Sequence, residues 1–209
     1  IEDIQRAGEA DVNLVISSVG VLAAKVLEER FHTPYVIGTP IIGFENVLAE
    51  KLIESAWTKK SQTAYFNVSQ KAHKKDTANS TTIQNTEAVS NLKKIRSLTE
   101  TIEKNKVSGN VYIIGESVIS QSLKAALALR YGIEATVICP LETEPEYTEK
   151  DVLLLSSEED IKKAITDADT VIADPIYKTI CSEKVNFVVM PHEAYSGRIY
   201  RKEVCDFIH

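Results

Sequence analysis

Short apolar runs, each followed by a turn and a helical pattern, recur along this chain and predict parallel β-strands. Near the amino end, residues 12–16 and 35–37 read as strands, and residues 21–31 carry apolar positions at helical spacing. A strand–helix–strand unit of this size belongs to a parallel sheet with helices on its faces. We therefore expect residues 1–44 to form the β-α-β portion of an α/β lobe.

The same pattern returns in residues 107–209. Four apolar runs in this half read as strands: residues 111–114, 135–138, 170–173 and 187–190. A helix is predicted over residues 118–131, with Gly132 as its C-terminal cap. Ser157 and Asp160 have capping-box spacing before a short helix, and a further helix is expected between the last two strands. These features predict a C-terminal Rossmann-like α/β domain of four or five parallel strands.

Residues 45–106 separate these two units and contain no glycine or proline. Apolar spacing predicts one helix around residues 47–56 and a long amphipathic helix over 89–102. The polar stretch 58–86 is either an exposed loop or a helix that rests on a partner. The predicted fold is therefore α/β, with Rossmann-like parallel sheets flanked by helices and two lobes joined by a helical connector. A connector without glycine favours a fixed geometry between the lobes.

Composition and charge narrow the class of protein. The chain has 209 residues and a formal net charge of −6, so a general electrostatic interaction with nucleic acid or an anionic membrane is not expected. No apolar run is long enough to span a bilayer. Three widely spaced cysteines argue against a secreted disulfide framework and for a cytoplasmic location: Cys139, Cys181 and Cys205. The chain begins without methionine or a signal sequence, and we expect a fragment of a longer protein.

Polar residues follow four of the predicted strands. They are Ser17-Ser18, Gly115-Glu116-Ser117, Asp174-Pro175 and Pro191-His192-Glu193. Because parallel strands share one carboxyl edge, the last three groups are expected to converge there. Ser18 and Ser117 also precede helices, where free backbone N–H groups suit an anion. The alternative is that these serines are only helix N-caps.

His192 has the most versatile chemistry in these groups, because imidazole can bind a metal or transfer a proton near neutral pH. Without a second histidine at ligand spacing, it can equally be a loop residue bonded to the backbone. The cysteines lack C-x-x-C spacing, which favours small core residues over a self-contained metal site. The chain also lacks the G-x-G-x-x-G fingerprint and the Walker A loop.

Three stretches together resemble the nitrogenase component 1 family of oxidoreductase subunits, assembly scaffolds and tetrapyrrole reductases. The first is residues 10–16 (ADVNLVI) with 23–31 (AAKVLEERF) and 33–35 (TPY). The second runs from residues 111–115 (VYIIG) to 132–134 (GIE), and the third covers residues 167–197, ending in MPHEAYSG. The resemblance covers most of the chain outside residues 58–86.

The resemblance implies a nitrogenase-like oxidoreductase subunit, of which this chain is the C-terminal part. Such a subunit pairs with a homologous component 1 subunit and receives electrons from an ATP-dependent iron–sulfur protein. It reduces its substrate at an iron–sulfur or other metal cluster, or reduces a bound tetrapyrrole. In the family, the cysteines that hold an iron–sulfur cluster lie in an earlier domain, so we expect the isolated fragment to bind no cofactor and to be inactive.

The resemblance also suggests site residues. His192 would be a metal ligand or proton donor, Glu116 a proton relay, and Ser18, Gly115 and Ser117 cofactor contacts through backbone turns. The family's cofactor-binding histidine directly follows the methionine of the closing motif. In this chain, Pro191 follows Met190, and His192 comes one position later. The alternative is a cofactor-assembly scaffold, or a two-lobed module that binds a metal chelate without redox turnover.

Overall fold

The computed structural model describes residues 6–68, 98–192, 195–200 and 206–208. Two parallel β-sheets flanked by helices form this part of the chain. The α/β class and the Rossmann-like arrangement predicted from the hydrophobic pattern are therefore confirmed.

The smaller sheet has three parallel strands: β1 (Asn13–Val15), β2 (Tyr35–Ile37) and β3 (Gln62–Thr63), in that order. Helix α1 (Val21–Phe31) connects β1 to β2, and α2 (Glu45–Thr58) connects β2 to β3. Strand β3 lies in the stretch that the sequence pattern assigned to a loop or a helix. That assignment is wrong at β3, because two polar residues show no periodicity and their pairing with β2 alone makes them a strand.

The larger sheet has five parallel strands in the order β6-β5-β4-β7-β8. The strands are β4 (Val111–Ile114), β5 (Ala135–Cys139), β6 (Leu153–Leu154), β7 (Thr170–Ala173) and β8 (Asn186–Val189). The helices of this half are α3 (Leu98–Lys104), α4 (Ser117–Tyr131), α5 (Glu158–Ala164) and α6 (Gly197–Tyr200). Gly132 ends α4 in the left-handed conformation with φ 64°, so the predicted C-terminal cap is confirmed.

Three details differ from the sequence-based expectations. Strand β8 ends at Val189, one residue before the predicted end. The helix between β7 and β8 is a 3-10 helix, Pro175–Ile180, which begins on a proline. Ser157 precedes α5 but its side chain makes no capping hydrogen bond, so the predicted capping box is not formed. For the long helix expected over 89–102, residues 89–97 lie outside the described residues.

Helix α4 connects the two lobes. It packs on β4 and β5, and its described residues from Ser120 to Ala128 are all buried. On the side of the smaller sheet, the Thr39 amide donates a 2.9 Å hydrogen bond to Ser122 Oγ of α4. One cluster of buried apolar side chains includes residues of both sheets, among them Val36 and Ile113, which are completely buried. The two lobes therefore share a continuous core.

The loop after β5 adds polar contacts between the lobes. The Tyr65 hydroxyl donates a 2.7 Å hydrogen bond to the Tyr147 carbonyl. Lys25 of α1 forms ion pairs of 2.8 Å with both Glu144 and Glu146 of this loop. These contacts fix the smaller sheet against the larger one and orient the strand ends that carry the predicted site.

Candidate functional site at the carboxyl edge of the larger sheet

The strand order of the larger sheet creates a topological switch point. From β4 the chain moves through β5 to β6 on one side, and then returns to place β7 and β8 on the other side. The reversal lies between β4 and β7. In open α/β sheets, ligands bind in the crevice outside the carboxyl ends of the strands at this position. The residues after β4, β7 and β8 are the ones that the sequence singled out.

Glu116, directly beyond β4, joins the two lobes. Its side chain is 3% exposed. One carboxylate oxygen accepts a 2.7 Å hydrogen bond from the Ser18 amide, and the other accepts a 3.0 Å hydrogen bond from the Ile119 amide in the first turn of α4. The structure therefore brings together two predicted site residues, Ser18 and Glu116. The sequence predicted that free N–H groups at these two helix starts could bind an anionic ligand. In the structure, the Glu116 carboxylate is the anion that they bind.

The serines do not act as side-chain caps, which was the alternative interpretation. Glu116 is the capping residue of α4, and Ser17 precedes the short 3-10 helix Ser18–Gly20 without a side-chain hydrogen bond. Ser117 is buried, and its hydroxyl accepts a hydrogen bond of 3.2 Å from the Gln121 side chain. The longer Glu116 side chain accepts hydrogen bonds from the Ser18 and Ile119 amides at once, and the shorter side chain of a serine cannot reach both.

Gly115 links β4 to this cap. Its amide donates to the Ile138 carbonyl at 3.1 Å, so it extends the pairing of β4 with β5. A β-carbon at this position would lie 2.9 Å from the buried Ser120 hydroxyl. Because a contact below 3.0 Å forces a shift, any other residue here would have to displace the Ser120 hydroxyl from where α4 packs on the strand end.

Asp174 follows β7 and is 2% exposed. One of its oxygens accepts a hydrogen bond from the Ile176 amide at 3.1 Å, which caps the 3-10 helix. The other accepts hydrogen bonds from the His192 amide at 2.9 Å and from the Ser196 hydroxyl at 2.7 Å. The sequence placed Asp174 at the converging edge but assigned it no role. Its position directly after the apolar residues Val171, Ile172 and Ala173 is the signal that would have found it.

His192 lies beyond β8, in a turn that this carboxylate holds. The ring centroids of His192 and Tyr195 are 5.4 Å apart, and those of Tyr195 and Tyr177 are 6.1 Å apart, both in edge-to-face geometry. The Tyr195 hydroxyl is shielded from solvent, and burial raises the pKa of Tyr195, with a further contribution from Tyr177. His192 and two phenols that stay protonated at neutral pH thus share the site.

Cys139 closes the same edge at the end of β5. It is 1% exposed, and its thiol donates to the Leu141 carbonyl at 3.5 Å. Burial raises the pKa of the Cys139 thiol, with a further contribution from the charge of Glu116. The thiol therefore stays protonated, which agrees with the expected core role. Burial likewise raises the pKa of Cys181, whereas Cys205 lies outside the described residues.

A metal cluster would need more ligands than the described residues of this edge supply; Glu193, which the sequence placed here, lies outside them. Among the residues that the structure describes, no three His, Cys, Asp or Glu side chains are grouped closely enough to hold a metal ion. Both oxygens of Glu116 and of Asp174 accept hydrogen bonds from protein groups. The described residues therefore do not form a self-contained metal site, and the ring of His192, the predicted ligand, packs against Tyr195 beyond the end of β8.

Two cavities flank the sheet in the described part of the chain. One, of about 460 Å³, lies at the carboxyl ends of β5 and β6 and includes Cys139 and Glu142 in its wall. A larger one, of about 840 Å³, lies at the opposite edge, beside the amino ends of β4 and β5. The sequence did not predict this second cavity. Its wall includes Lys124, whose ammonium group is already bound by Glu149 at 2.9 Å and Asp151 at 2.6 Å.

Comparisons with protein-family models, with curated proteins and with solved structures find no match for this chain. Of the helices within the described ranges, none combines the length and the apolar character that a membrane crossing requires.

Proposed function

We propose that this chain forms the C-terminal part of a nitrogenase-like oxidoreductase subunit. Such a subunit, of the component 1 type, reduces a substrate at a metal cluster or reduces a bound tetrapyrrole. The electrons come from an ATP-dependent iron–sulfur partner. One observation carries the proposal: residues from three adjacent strand ends and from the smaller lobe share the carboxyl edge of the larger sheet, which contains its switch point. They are Ser18, Glu116, Asp174 and His192.

The positions of the resembling stretches support this assignment. The first stretch forms β1, α1 and β2, the second forms β4 and α4, and the third contains β7, β8 and the His192 turn. The Ser18–Glu116 hydrogen bond joins the ends of the first two stretches, the Asp174–His192 hydrogen bond lies within the third, and the pairing of β4 with β7 places the second and third side by side. The segments that suggested the family from the sequence are thus the segments that build one shared edge.

Within this proposal, His192 serves as metal ligand or proton donor, and the further ligands come from parts of the full protein other than the described residues. Glu116 holds Ser18 and the start of α4 in place. Proton relay through Glu116 would require one of its two amide hydrogen bonds to open. Gly115 and Ser117 shape the turn between β4 and α4, where they set the position of this carboxylate.

The shared core bears on the alternative of two lobes that close on a chelate. Helix α4 is buried between the lobes, and the Thr39–Ser122 and Tyr65–Tyr147 hydrogen bonds cross from one to the other. Closing and opening would expose this core, at a cost of about 25 cal/mol for each Å² of apolar surface. The arrangement favours a fixed site, which suits either an enzyme or an assembly scaffold.

The proposal is tested with the natural polypeptide that contains this sequence, purified without oxygen together with the proteins that copurify with it. We expect bound iron or another transition metal, and His192→Ala should lower the amount retained, or the rate of reduction, at least about tenfold. His32→Asn is the matched control, because His32 is an exposed left-handed residue at the end of α1 and asparagine tolerates that conformation.

Three outcomes separate the alternatives. Turnover that depends on the ATP-hydrolysing reductase supports the enzyme, whereas transfer of the bound metal group to another protein supports the scaffold. A polypeptide that binds no metal and no tetrapyrrole, or one in which His192→Ala behaves like His32→Asn in both measurements, contradicts the assignment of His192.

A further inference from the structure

Asp174 accepts hydrogen bonds from several parts of the candidate site, although the family resemblance assigns it no role. Its first oxygen accepts from the Ile176 amide at 3.1 Å. Its second oxygen accepts from the His192 amide at 2.9 Å, from the Ser196 amide at 3.3 Å and from the Ser196 hydroxyl at 2.7 Å. Three of these four donors share the second oxygen, so most of the hydrogen bonding of this carboxylate is directed to His192 and Ser196. Asp174 is therefore built to hold other groups.

The turn that Asp174 holds is closed by its own backbone as well. The His192 carbonyl accepts hydrogen bonds from the amides of Tyr195 and Gly197, both at 3.0 Å. Asp174 bonds to His192 at the start of this turn and to Ser196 near its end. The carboxylate thus holds His192 and Ser196 relative to the end of β7.

The aromatic residues fix the imidazole from a second direction. Tyr195, within the same turn, contacts the His192 ring at an angle of 61° and contacts Tyr177 at 77°. Tyr177 belongs to the 3-10 helix that Asp174 caps, and its amide donates to the Asp174 carbonyl at 3.0 Å. Asp174 therefore bonds to the segments that carry all three rings. It bonds to His192 and Ser196 on either side of Tyr195, and to the 3-10 helix that carries Tyr177.

We propose that Asp174 is the positioning residue of this site: its buried carboxylate holds the backbone of His192 and the side chain of Ser196 and thereby sets where the His192 imidazole lies at the carboxyl edge of the sheet. What the imidazole then does rests on the proposed function. The positioning itself rests only on the hydrogen bonds and ring contacts above. Asp174 acts through His192 and does not need to touch a substrate or a metal.

The test uses the full natural polypeptide with histidines labelled at ¹³Cε1, so that each imidazole gives its own NMR signal. Because the Tyr195 ring lies against the His192 ring, we expect the His192 signal to be displaced from the position of a solvated histidine. Asp174→Asn replaces one acceptor oxygen by an amide donor that faces other donors. We expect the His192 signal to lose its displacement. We also expect amide exchange at His192 to accelerate about ten- to hundredfold, as the loss of a charged hydrogen bond requires.

Matched variants separate positioning from general destabilisation. Asp160→Asn changes an exposed aspartate of α5 and should leave the His192 signal unchanged. Ser196→Ala should move the signal partway, because it removes one hydrogen bond and keeps the Asp174 charge, and Ser196→Thr should restore it. The far-ultraviolet circular dichroism spectrum reports whether each variant is folded. If Asp174→Asn does not fold, the positioning role is tested by comparing the His192 signal in Ser196→Ala and Ser196→Thr.

A His192 signal in folded Asp174→Asn that coincides with the wild-type signal would overturn the positioning role. So would a Ser196→Thr signal that matches Ser196→Ala. Failure of the proposed function looks different: His192→Ala leaves metal content and turnover unchanged, while the His192 signal still responds to Asp174→Asn. The two proposals can therefore fail independently.

Discussion

At the scale of single residues, Glu116 makes the most consequential contact between the lobes. Its buried carboxylate accepts one hydrogen bond from a backbone amide of each lobe. Glu116→Gln keeps the shape but turns one acceptor into a donor that faces an N–H group. We expect the free energy of unfolding to fall by about 1.5–3 kcal/mol, the range for a hydrogen bond to a charged group.

Urea denaturation measures this change, and Glu183→Gln is the control. Glu183 is exposed in the loop before β8, so its substitution should stay within about 0.5 kcal/mol of wild type. Equal stabilities of the two variants would mean that the Glu116 carboxylate does not join the lobes in solution.

The ion pair at Glu146 predicts a pH effect. The hydrogen bond from Lys25, together with that of Tyr147, lowers the pKa of Glu146 to about 2 from its ordinary value of 4.5. Because the pKa is lower in the folded chain, the stabilisation is complete above pH 4.5 and is lost as the pH falls toward 2. Lys25→Met should return the pKa of Glu146 toward 4.5.

A carbon-detected NMR titration of the Glu146 carboxyl group follows this directly. Lys163→Met is the matched control, since Lys163 pairs with Glu159 elsewhere on the surface at 3.2 Å. The effect should weaken in high salt because the pair is exposed to solvent. A Glu146 pKa that is the same with and without Lys25 would contradict the contact between α1 and the loop after β5.

At the scale of elements, the end of α4 depends on glycine. Gly132 has φ 64°, and a β-carbon there would meet no atom within 4 Å. Gly132→Ala should therefore cost only the backbone penalty of the left-handed conformation, about 1–2 kcal/mol in the free energy of unfolding. Gly20→Ala is the control, because Gly20 has φ −82° and its added methyl group would make an ordinary contact with Val15.

Thermal or urea unfolding of both variants tests this prediction. The Gly20→Ala variant should be unchanged or slightly more stable, since its conformation is open to every residue. Equal destabilisation in the two variants would show that the α4 cap does not have the left-handed geometry.

The predicted elements show what the sequence can and cannot specify. Strands β4, β5 and β7 were predictable because each is an apolar run bounded by turns. Strand β3 has no such signal, since only its pairing with β2 defines it. For the site, convergence at one sheet edge follows from parallel topology. The specific bonds of Glu116 and Asp174 do not, because they join residues 98 and 18 positions apart.

At the scale of the whole molecule, the shared core predicts cooperative unfolding. Buried apolar residues of both sheets belong to one cluster, and α4 is buried between the lobes. We expect the lobes to lose structure together. Hydrogen exchange measured along a urea series should show β2 and β7 losing protection at the same denaturant concentration. Earlier loss of protection in β2 would show that the smaller lobe unfolds as an independent unit.

The central claim is that the edge around His192 belongs to a reductase that receives electrons from an ATP-dependent partner. The most direct measurement adds the iron–sulfur partner and MgATP, without oxygen, to the natural polypeptide and follows reduction of its bound group spectroscopically. The account predicts reduction that requires MgATP and is lowered at least about tenfold in His192→Ala but not in His32→Asn. The claim would be contradicted if His192→Ala were reduced as fast as wild type, or if the polypeptide accepted no electrons from the partner.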